Sequence, residues 1–521
     1  MSQTCYEMLI KGVDKNGYVV YYNHKVPIRR FLRDVESCAA GFSRMGLQRG
    51  DVVTLYLPTC VESLVAFYAC SKLGLVANVV HPLIPLHILQ DNLKKTGSKA
   101  LLFYDALVRD ERPLLSLGQQ LIRCSIADYV NFRKPFYKAY AAAIGKRHRG
   151  IITYGQLTAN SAPTEVAGRG NDVVCYMHSG GTGGSPKIVR LTNDSMNGTA
   201  EAMILMYQPK VLPGDYNLAT LPIFHAYGLC AAIHTPLCFG CSLILVPKFD
   251  PNVVKSYFKK YHITIWSAVP AMLKKMLSAN LLDTPALKGL DVIWCGGDVL
   301  DEDLVDNVNA ILGKYCSRAQ LMRGYGLTET CGVCVVNNYF HYRKGSCGMP
   351  MPTCSVEIWD EQGNALPAGK VGEIAILSRG NTVGYLDDCD CLVTKDGNAW
   401  VLTGDLGYLD EDGFLYMVDR KKRTLKIAAV NVFPAEIENC VKTLDFVDEA
   451  CAVGVVVNGK QFVKVFVTLK AEITQEKVTQ GVIKVCQDNL IKYSVPRFVQ
   501  ILDVMPRTTY GKIDYKSLQD K

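Results

Sequence analysis

The chain has 521 residues, 49% of them hydrophobic and 20% charged, and carries 57 basic against 49 acidic side chains for a net charge of +8. That balance excludes a disordered chain, and the length exceeds one ordinary core and predicts roughly two to four domains. The mild basic excess suits anionic small substrates or a membrane surface as well as nucleic acid, and no nucleic-acid motif accompanies it. The 20 cysteines follow no regular spacing. No histidine cluster completes a zinc site around the C-x-x-C of Cys331 and Cys334, so the thiols are expected to be buried and reduced. The N-terminal stretch "MSQTCYEMLIKGVDKNG" has charges through its apolar part and no cleavage pattern, and no uncharged apolar run reaches transmembrane length. The expected location is the cytoplasm.

In chain order, "FLRDVESCAAGFSRMGLQRGD" (31–51) has helical apolar spacing and a glycine stop. "VVTLYLP" (52–58) reads as a buried strand, "VESLVAFYACSKLG" (61–74) as a helix and "LVANVVH" (75–81) as a strand again. This is β-α-β punctuation, which favours a parallel sheet with helices on its faces. It resumes at "DVVCYMHS" (172–179), "NLATLPIFH" (217–225), "CSLILVP" (241–247), "ITIWSAVP" (263–270) and "LDVIWCGG" (290–297). From about 345 to 418 the texture changes to short strands and tight turns, which predict antiparallel hairpins in a small barrel-like part. Beyond "DRKKR" (419–423), strands ("ACAVGVVV", "QFVKVFVTL") and helices ("PAEIENCVKTL", "VTQGVIKVCQDNLI") mix in a compact stretch. The predicted fold class is α/β. Residues 1–418 form a large domain of parallel-rich sheets with the β-barrel-like part, 419–423 a hinge, and 424–521 a small α+β lid.

"HSGGTGGSPK" (178–187) follows a predicted strand. Glycines let backbone N–H groups crowd around an anion, and hydroxyls and a lysine add donors and charge. It is not a Walker A loop, because Pro186 precedes Lys187 and Ile188 follows it, where that loop needs Gly-Lys-[Ser/Thr]. It is either a different phosphate loop or a connector. "LPIFHAYG" (221–228), Gly296–Gly297 and "RGYGLTET" (323–330) also follow strand-like runs. Ligands in open parallel sheets sit outside the carboxyl ends of strands, so these segments are predicted to converge. "TGDLGYLDEDG" (403–413) places Asp405 in a turn, "DRKKRTLKIAAVNVFPAEIE" (419–438) is basic and then strand-like, and "PRTTYGKIDYKSL" (506–518) places Lys512 on a terminal loop.

Taken together and in order, these stretches resemble the adenylate-forming superfamily of acyl-CoA synthetases, carrier-protein adenylation domains and luciferases, and within it are similar to fatty acyl-CoA and 4-coumarate-CoA-like ligases. The resemblance spans nearly the whole chain. It implies ATP, Mg²⁺ and CoA as co-reactants and a two-step reaction, in which a carboxylate displaces pyrophosphate from ATP and a thiol then displaces AMP. It implies that Ser179, Gly180, Gly181, Thr182, Gly183 and Gly184 wrap the β- and γ-phosphates, with Lys187 neutralising them or anchoring the loop. By the same resemblance Tyr325, between Gly324 and Gly326, stacks on adenine, and Gly297 and Asp298 line its edge. Thr328 contacts phosphate, and Glu329, with Thr182, holds Mg²⁺. Asp405 accepts the ribose hydroxyls with Arg420 nearby, and Lys512 bridges the acyl carboxylate and the α-phosphate. Lys422 is implied as the hinge about which the small domain swings, Lys426 as the residue that replaces Lys512 for thioester formation, and His225 as the gate of the thiol tunnel.

Two positions depart from the family pattern. Gly183 stands where a second hydroxyl is usual, which predicts weaker ATP binding. Ala429 stands where glycine borders the pantetheine tunnel, which predicts a narrower tunnel. Loading of a separate acyl carrier protein, and a non-catalytic nucleotide- or acyl-binding relative, are the alternatives to a CoA ligase. The acyl pocket is expected from "HAYGLC", "SAVPAM" and "TCGVCVV", apolar enough for an aliphatic or simple aromatic acid, with Cys331 and Cys334 lining or underlying it. "YVNFRKPFYKAYAAAIGKRHRG" (129–150) interleaves aromatics with six basic residues, as either an amphipathic segment on an anionic membrane or a solvated helix face. Glu436 and Glu438 are expected on a solvated helix face, and Lys421 and Arg423 read either as plain surface charges or as functional members of the basic junction.

Overall fold

The computed structural model describes residues 2–108, 110–130, 148, 150–159, 164–179, 187–207, 214–315, 318–387, 391–427, 430–457, 460–507 and 513–519, without the side chains of 426, 430, 431 and 460. The chain divides into two compact units, Met1–Val356 with Ile376–Val401, and Glu357–Ala375 with Leu402–Lys521.

In the first unit, one seven-stranded sheet runs Ile152–Thr153, Gln120–Cys124, Ser98–Tyr104, Val52–Tyr56, Val76–Val79, Val173–Ser179, Lys187–Thr192. Its pairs are parallel except the last, where Val173–Ser179 and Lys187–Thr192 pair antiparallel. A nine-stranded sheet runs Met349–Pro350, Val335–Val336, Gln320–Tyr325, Val292–Cys295, Ile263–Ala268, Tyr216–Ala219, Ser242–Leu245, Tyr18–Tyr21, His24–Pro27. Its five central strands are parallel neighbours. The apolar runs at 52–58, 241–247 and 263–270 are therefore buried on both faces, as parallel strands require. The antiparallel texture predicted from about 345 is present as hairpins, Leu392–Lys395 with Asn398–Val401 in the first unit and Asp405–Leu409 with Leu415–Arg420 in the second. The second unit also holds a three-stranded sheet, Val447–Val457, Lys460–Leu469 and Phe498–Ile501, packed with helices Pro434–Lys442 and Gln475–Asn489.

Helix Val61–Leu73 is buried along its whole length and ends on Gly74 at φ +70°. A helix that is apolar all round belongs in a core, and the left-handed terminal turn needs glycine. Two charges go into the core with it. Lys72 pairs with Glu36 and lies 5.0 Å from the centre of the Tyr6 ring. Among the described residues no cation pairs with Glu62, and neither of its carboxylate oxygens has a hydrogen-bond partner. Burial, and then the negative field of Asp128, push its carboxyl from the ordinary 4.5 up to about 8. The folded chain therefore holds a proton at Glu62 that the unfolded chain releases near pH 4.5. Stability from this group is fully present below pH 4.5 and is lost as pH rises toward 8, by on the order of a few kcal/mol. Urea melts at pH 5 and pH 8 check this. Glu62→Gln should remove the part of the alkaline loss that this carboxyl contributes, and parallel curves for variant and parent would refute it.

Candidate functional site

The carboxyl ends of the parallel strands assemble the first part of the site. Ser179 ends one strand and Lys187 opens the next, and the two residues pair across an antiparallel ladder. The chain thus resumes at Lys187 as a strand, where a Walker loop would continue as a helix. Gly180, Gly181, Thr182, Gly183 and Gly184 lie outside the described residues. His178, just before the turn, meets the Asn78 side-chain oxygen through Nε2 at 3.0 Å, and burial holds its pKa down to about 4, so it is neutral.

Tyr325 ends strand Gln320–Tyr325 and is buried. The glycines around it answer to packing. A Cβ on Gly326 would stand 2.6 Å from the Val333 Cα, and one on Gly296 would stand 2.8 Å from the Gly324 carbonyl oxygen. The returning segment 333–336 and the neighbouring strand leave no room there. Gly297, at φ +82°, and Asp298 turn the chain at the end of the adjacent parallel strand, Val292–Cys295. Thr328 and Glu329 sit on a single 3₁₀ turn, Thr328–Thr330.

Glu329 is only 7% exposed. The Tyr385 hydroxyl donates to its Oε1 at 2.9 Å, and its backbone carbonyl accepts from the Thr382 N–H at 2.8 Å. The Lys187 ammonium lies 4.1 Å from the centre of the Tyr385 ring. Tyr385 thus ties the Lys187 strand to the Glu329 carboxylate, and burial and then Glu329 push its own phenol far up, so it stays a donor. Sequence reasoning missed Tyr385. Nothing in "NTVGYLDD" has a spacing that announces a site, and its role arises from the fold bringing residue 385 to residue 329. Among the described residues no cluster of three His, Cys, Asp or Glu could enclose a metal ion. A single buried carboxylate still fits Mg²⁺, which keeps most of its waters and takes further oxygens from phosphate.

An apolar pocket enclosing about 310 Å³, counted to its open mouth, adjoins this strand end and is walled by Met203, Tyr227, Trp294, Val333 and Val336. Backbone at Gly296, Gly297, Gly324 and Gly332 completes it, with no charged side chain in the lining. Two of the three expected stretches contribute; "SAVPAM" does not, and Trp294 with Met203 takes its place. The Tyr207 ring closes behind Trp294, at 4.6 Å between centres, edge to face. His225 stands in the turn before the π-helix Tyr227–His234, with its ring 5.0 Å from Phe224, which lies 4.4 Å from His81. A π-helix of this length is rare, and such segments cluster at functional sites.

The second unit carries the remaining candidates. Asp405 is 4% exposed and faces Arg420 directly across the hairpin, with the guanidinium Nε at 3.2 Å. The Thr403 hydroxyl accepts the Asp405 N–H at 3.1 Å, and Asp405, expected in a turn, lies instead within the strand Asn398–Leu409, where the ladder to Arg420 holds it. Lys422 is exposed on the 3₁₀ turn Lys421–Arg423. Lys421 is an exposed charge, whereas Arg423 is largely buried. Lys421 pairs with Glu373 at 2.7 Å, and Arg423 pairs with Glu438. Glu438 is correspondingly not on a solvated face: it also accepts the Ala452 N–H at 2.8 Å, and its carboxyl is raised by burial, against the pull of Arg423. Glu436 is exposed, as expected. Lys426 lies on strand Leu425–Ile427, its backbone opposite Asn431. Ala429 and Lys512 lie outside the described residues, as does most of 129–150. Among the described residues no helix is long and apolar enough to cross a membrane.

Comparison with known proteins places this geometry. Residues 15–386 match the model of the AMP-binding enzyme family, and residues 436–512 that of the AMP-binding enzyme C-terminal domain. A long-chain-fatty-acid–CoA ligase of Bacillus subtilis (strain 168) is 28% identical over 517 residues, 95% of this chain and 90% of that protein. 4-Coumarate–CoA ligase 4 of Arabidopsis thaliana is 27% identical, over 93% of this chain and 84% of its own. Among solved structures, ATP-bound MatB from Rhodopseudomonas palustris superposes with a TM-score of 0.86 at 23% identity, covering 100% of this chain and 99% of its own. With the motifs in order and the family model matched over most of its length, the chain belongs to the AMP-binding enzyme family, within the adenylate-forming superfamily.

Proposed function

We propose that the chain is an AMP-forming acid–thiol ligase that joins an apolar carboxylic acid to CoA. In the first step a carboxylate oxygen attacks the α-phosphorus of ATP and pyrophosphate leaves. In the second the CoA sulfur attacks the acyl carbon and AMP leaves. The observation that carries the reading is Glu329, a buried carboxylate aimed by Tyr385 beside Tyr325 and next to an uncharged pocket. Phosphoryl transfer is catalysed mainly by positioning and charge neutralisation, and a preset carboxylate supplies both for a phosphate-bound cation. Glu329 and Thr182 would hold Mg²⁺, whose charge would offset that of the triphosphate. Ser179, the glycines 180–184, Lys187 and Thr328 hold phosphate. Tyr325 stacks on adenine, with Gly297, Asp298, Gly324 and Gly326 shaping its cleft, and Asp405 with Arg420 holds ribose. Lys512 serves the first step and Lys426 the second, with Lys422 as pivot and His225 at the thiol entrance.

The pocket supports an acid with a ring or a medium-length chain, because Trp294, backed by Tyr207, limits its depth. The relatives are named for both classes, fatty acids in one case and coumarate in the other. AMP release from ATP and a panel of aliphatic and aromatic acids, each with and without CoA, tests the reading. CoA-dependent turnover on one class supports it, and release that CoA never accelerates refutes the acceptor.

Three variants extend the test. Lys512→Ala should abolish acyl-AMP formation yet leave thioester formation from supplied acyl-AMP, and equal loss in both assays would remove the division of labour with Lys426. Tyr385→Phe should slow acyl-AMP formation about tenfold or more, the size of a lost hydrogen bond to a charged group, and raise the Mg²⁺ requirement, with KM for the acid unchanged. Trp294→Ala should shift preference toward longer acids by about tenfold in kcat/KM, and an unmoved chain-length profile would place the tail elsewhere.

A further inference from the structure

Strand Val173–Ser179 pairs in parallel with Val76–Val79 at Ala77–Cys175 and Asn78–Tyr176, and the rungs stop there. Two residues further on, a side chain continues the connection: the His178 ring meets the Asn78 side-chain oxygen through Nε2 at 3.0 Å. Asn78 is completely buried and is one link of a polar seam laid through an apolar sheet. Its Nδ2 donates to the Thr54 hydroxyl at 2.9 Å and to the Asn92 side-chain oxygen at 2.7 Å. Thr54, also completely buried, meets the Ser98 hydroxyl at 2.8 Å, and Ser98 donates to the Ala100 carbonyl at 3.0 Å. The seam thus crosses four neighbouring strands and reaches helix Leu86–Thr96 through Asn92.

The hydrogens can be assigned along it. Ser98 gives its hydrogen to Ala100, so the Thr54 hydroxyl donates to Ser98 and accepts from Asn78. Both hydrogens of the Asn78 amide are then spent, and its oxygen is left to accept. The neutral His178 ring therefore carries its hydrogen on Nε2 and leaves Nδ1 bare. A buried network with every member satisfied rigidifies what it joins, and the loss of one member strands its neighbour. Helix Leu86–Thr96 also carries Lys95, which pairs with Asp387, two residues beyond Tyr385. The helix that anchors Asn92 thus also holds the segment that orients Glu329.

We propose that His178 is a positioning residue for the triphosphate: held by Asn78 as the Nε2-protonated tautomer, it fixes the strand end from which Ser179 enters the phosphate turn. This rests on the reading of Ser179 to Lys187 as that turn. His178 acts through the backbone of Ser179, which pairs with Lys187 across the antiparallel ladder. A strand end set before binding lowers the cost of ordering the turn around the β- and γ-phosphates. AMP lacks those phosphates, so its binding is indifferent to His178.

The test titrates the full chain by calorimetry with ATP, pyrophosphate and AMP, each with Mg²⁺ and without acid or CoA. His178→Phe keeps a ring and removes the N–H. Its Kd for ATP and for pyrophosphate should rise about fivefold, the size of one lost hydrogen bond, with Kd for AMP unchanged. His178→Gln, whose amide N–H has a reach close to that of Nε2, should recover most of the ATP affinity. Equal weakening toward ATP and AMP, no weakening at all, or no difference between the Phe and Gln variants overturns the proposal. Should His178→Phe not fold, a two-bond proton–nitrogen spectrum of the histidine-labelled parent, assigned with His178→Gln, decides. It should show a neutral His178 ring protonated on Nε2 at neutral pH, and the opposite tautomer or a charged ring overturns the proposal. A parent chain that binds AMP but neither ATP nor pyrophosphate removes the phosphate-turn reading and this proposal with it. Parent binding of ATP that His178→Phe matches removes this proposal alone.

Discussion

A carboxylate kept out of bulk water needs fixed partners, and the first unit is organised around giving Glu329 its share. A buried charge without support costs several kcal/mol, and one hydroxyl and a rigid backbone turn meet only part of that. The Tyr385 phenol is the supplied partner, and it is itself held by lying against the Lys187 ammonium. The two elements that carry these side chains, strand Lys187–Thr192 and the segment after Ser378, are tied by the Val189–Tyr385 bridge and by the Arg190 N–H bond to the Gly384 carbonyl. The Lys187 side chain is thus built into the same contact that orients the Glu329 carboxylate.

Glu62 has the opposite solution. Among the described residues no hydrogen-bond partner meets its carboxylate oxygens, and the fold accommodates it by keeping it protonated. Lys72, equally deep on the same helix, is instead paired with Glu36.

Much of this architecture was legible in the sequence. The runs at 52–58, 172–179, 263–270 and 290–297 are continuous apolar stretches of strand length ending in turns, and each is a parallel strand in the fold. The helix 61–74 and its glycine stop were equally plain. The N-terminal helix Cys5–Gly12 and the hairpin Tyr18–Pro27 were not read, because short elements with mixed polarity give no period to count. Tyr325, between two glycines, was singled out by its local pattern and lies at a strand end, whereas Asp405, expected in a turn, lies within strand Asn398–Leu409. Tyr385 and Trp294 were not singled out, because each acts through a neighbour far away in sequence. Glu438 misled for the same reason: a charge on a helix reads as solvated until its partner, here Arg423, is known.

The π-helix Tyr227–His234 bears on how this pocket can change over time. Its wider turns hold Tyr227 against the pocket at one end and set His234 between the Tyr68 hydroxyl and the Asn197 side chain at the other, at 3.1 Å each. Ordinary helical winding advances each residue by about 100°. Removing a single residue between those anchors would let the segment relax to ordinary winding, and only one of them could keep its place. This wall therefore tolerates substitution but resists a change in length, and variation in the pocket's shape is channelled into side-chain identity at positions such as Met203, Trp294 and Val333.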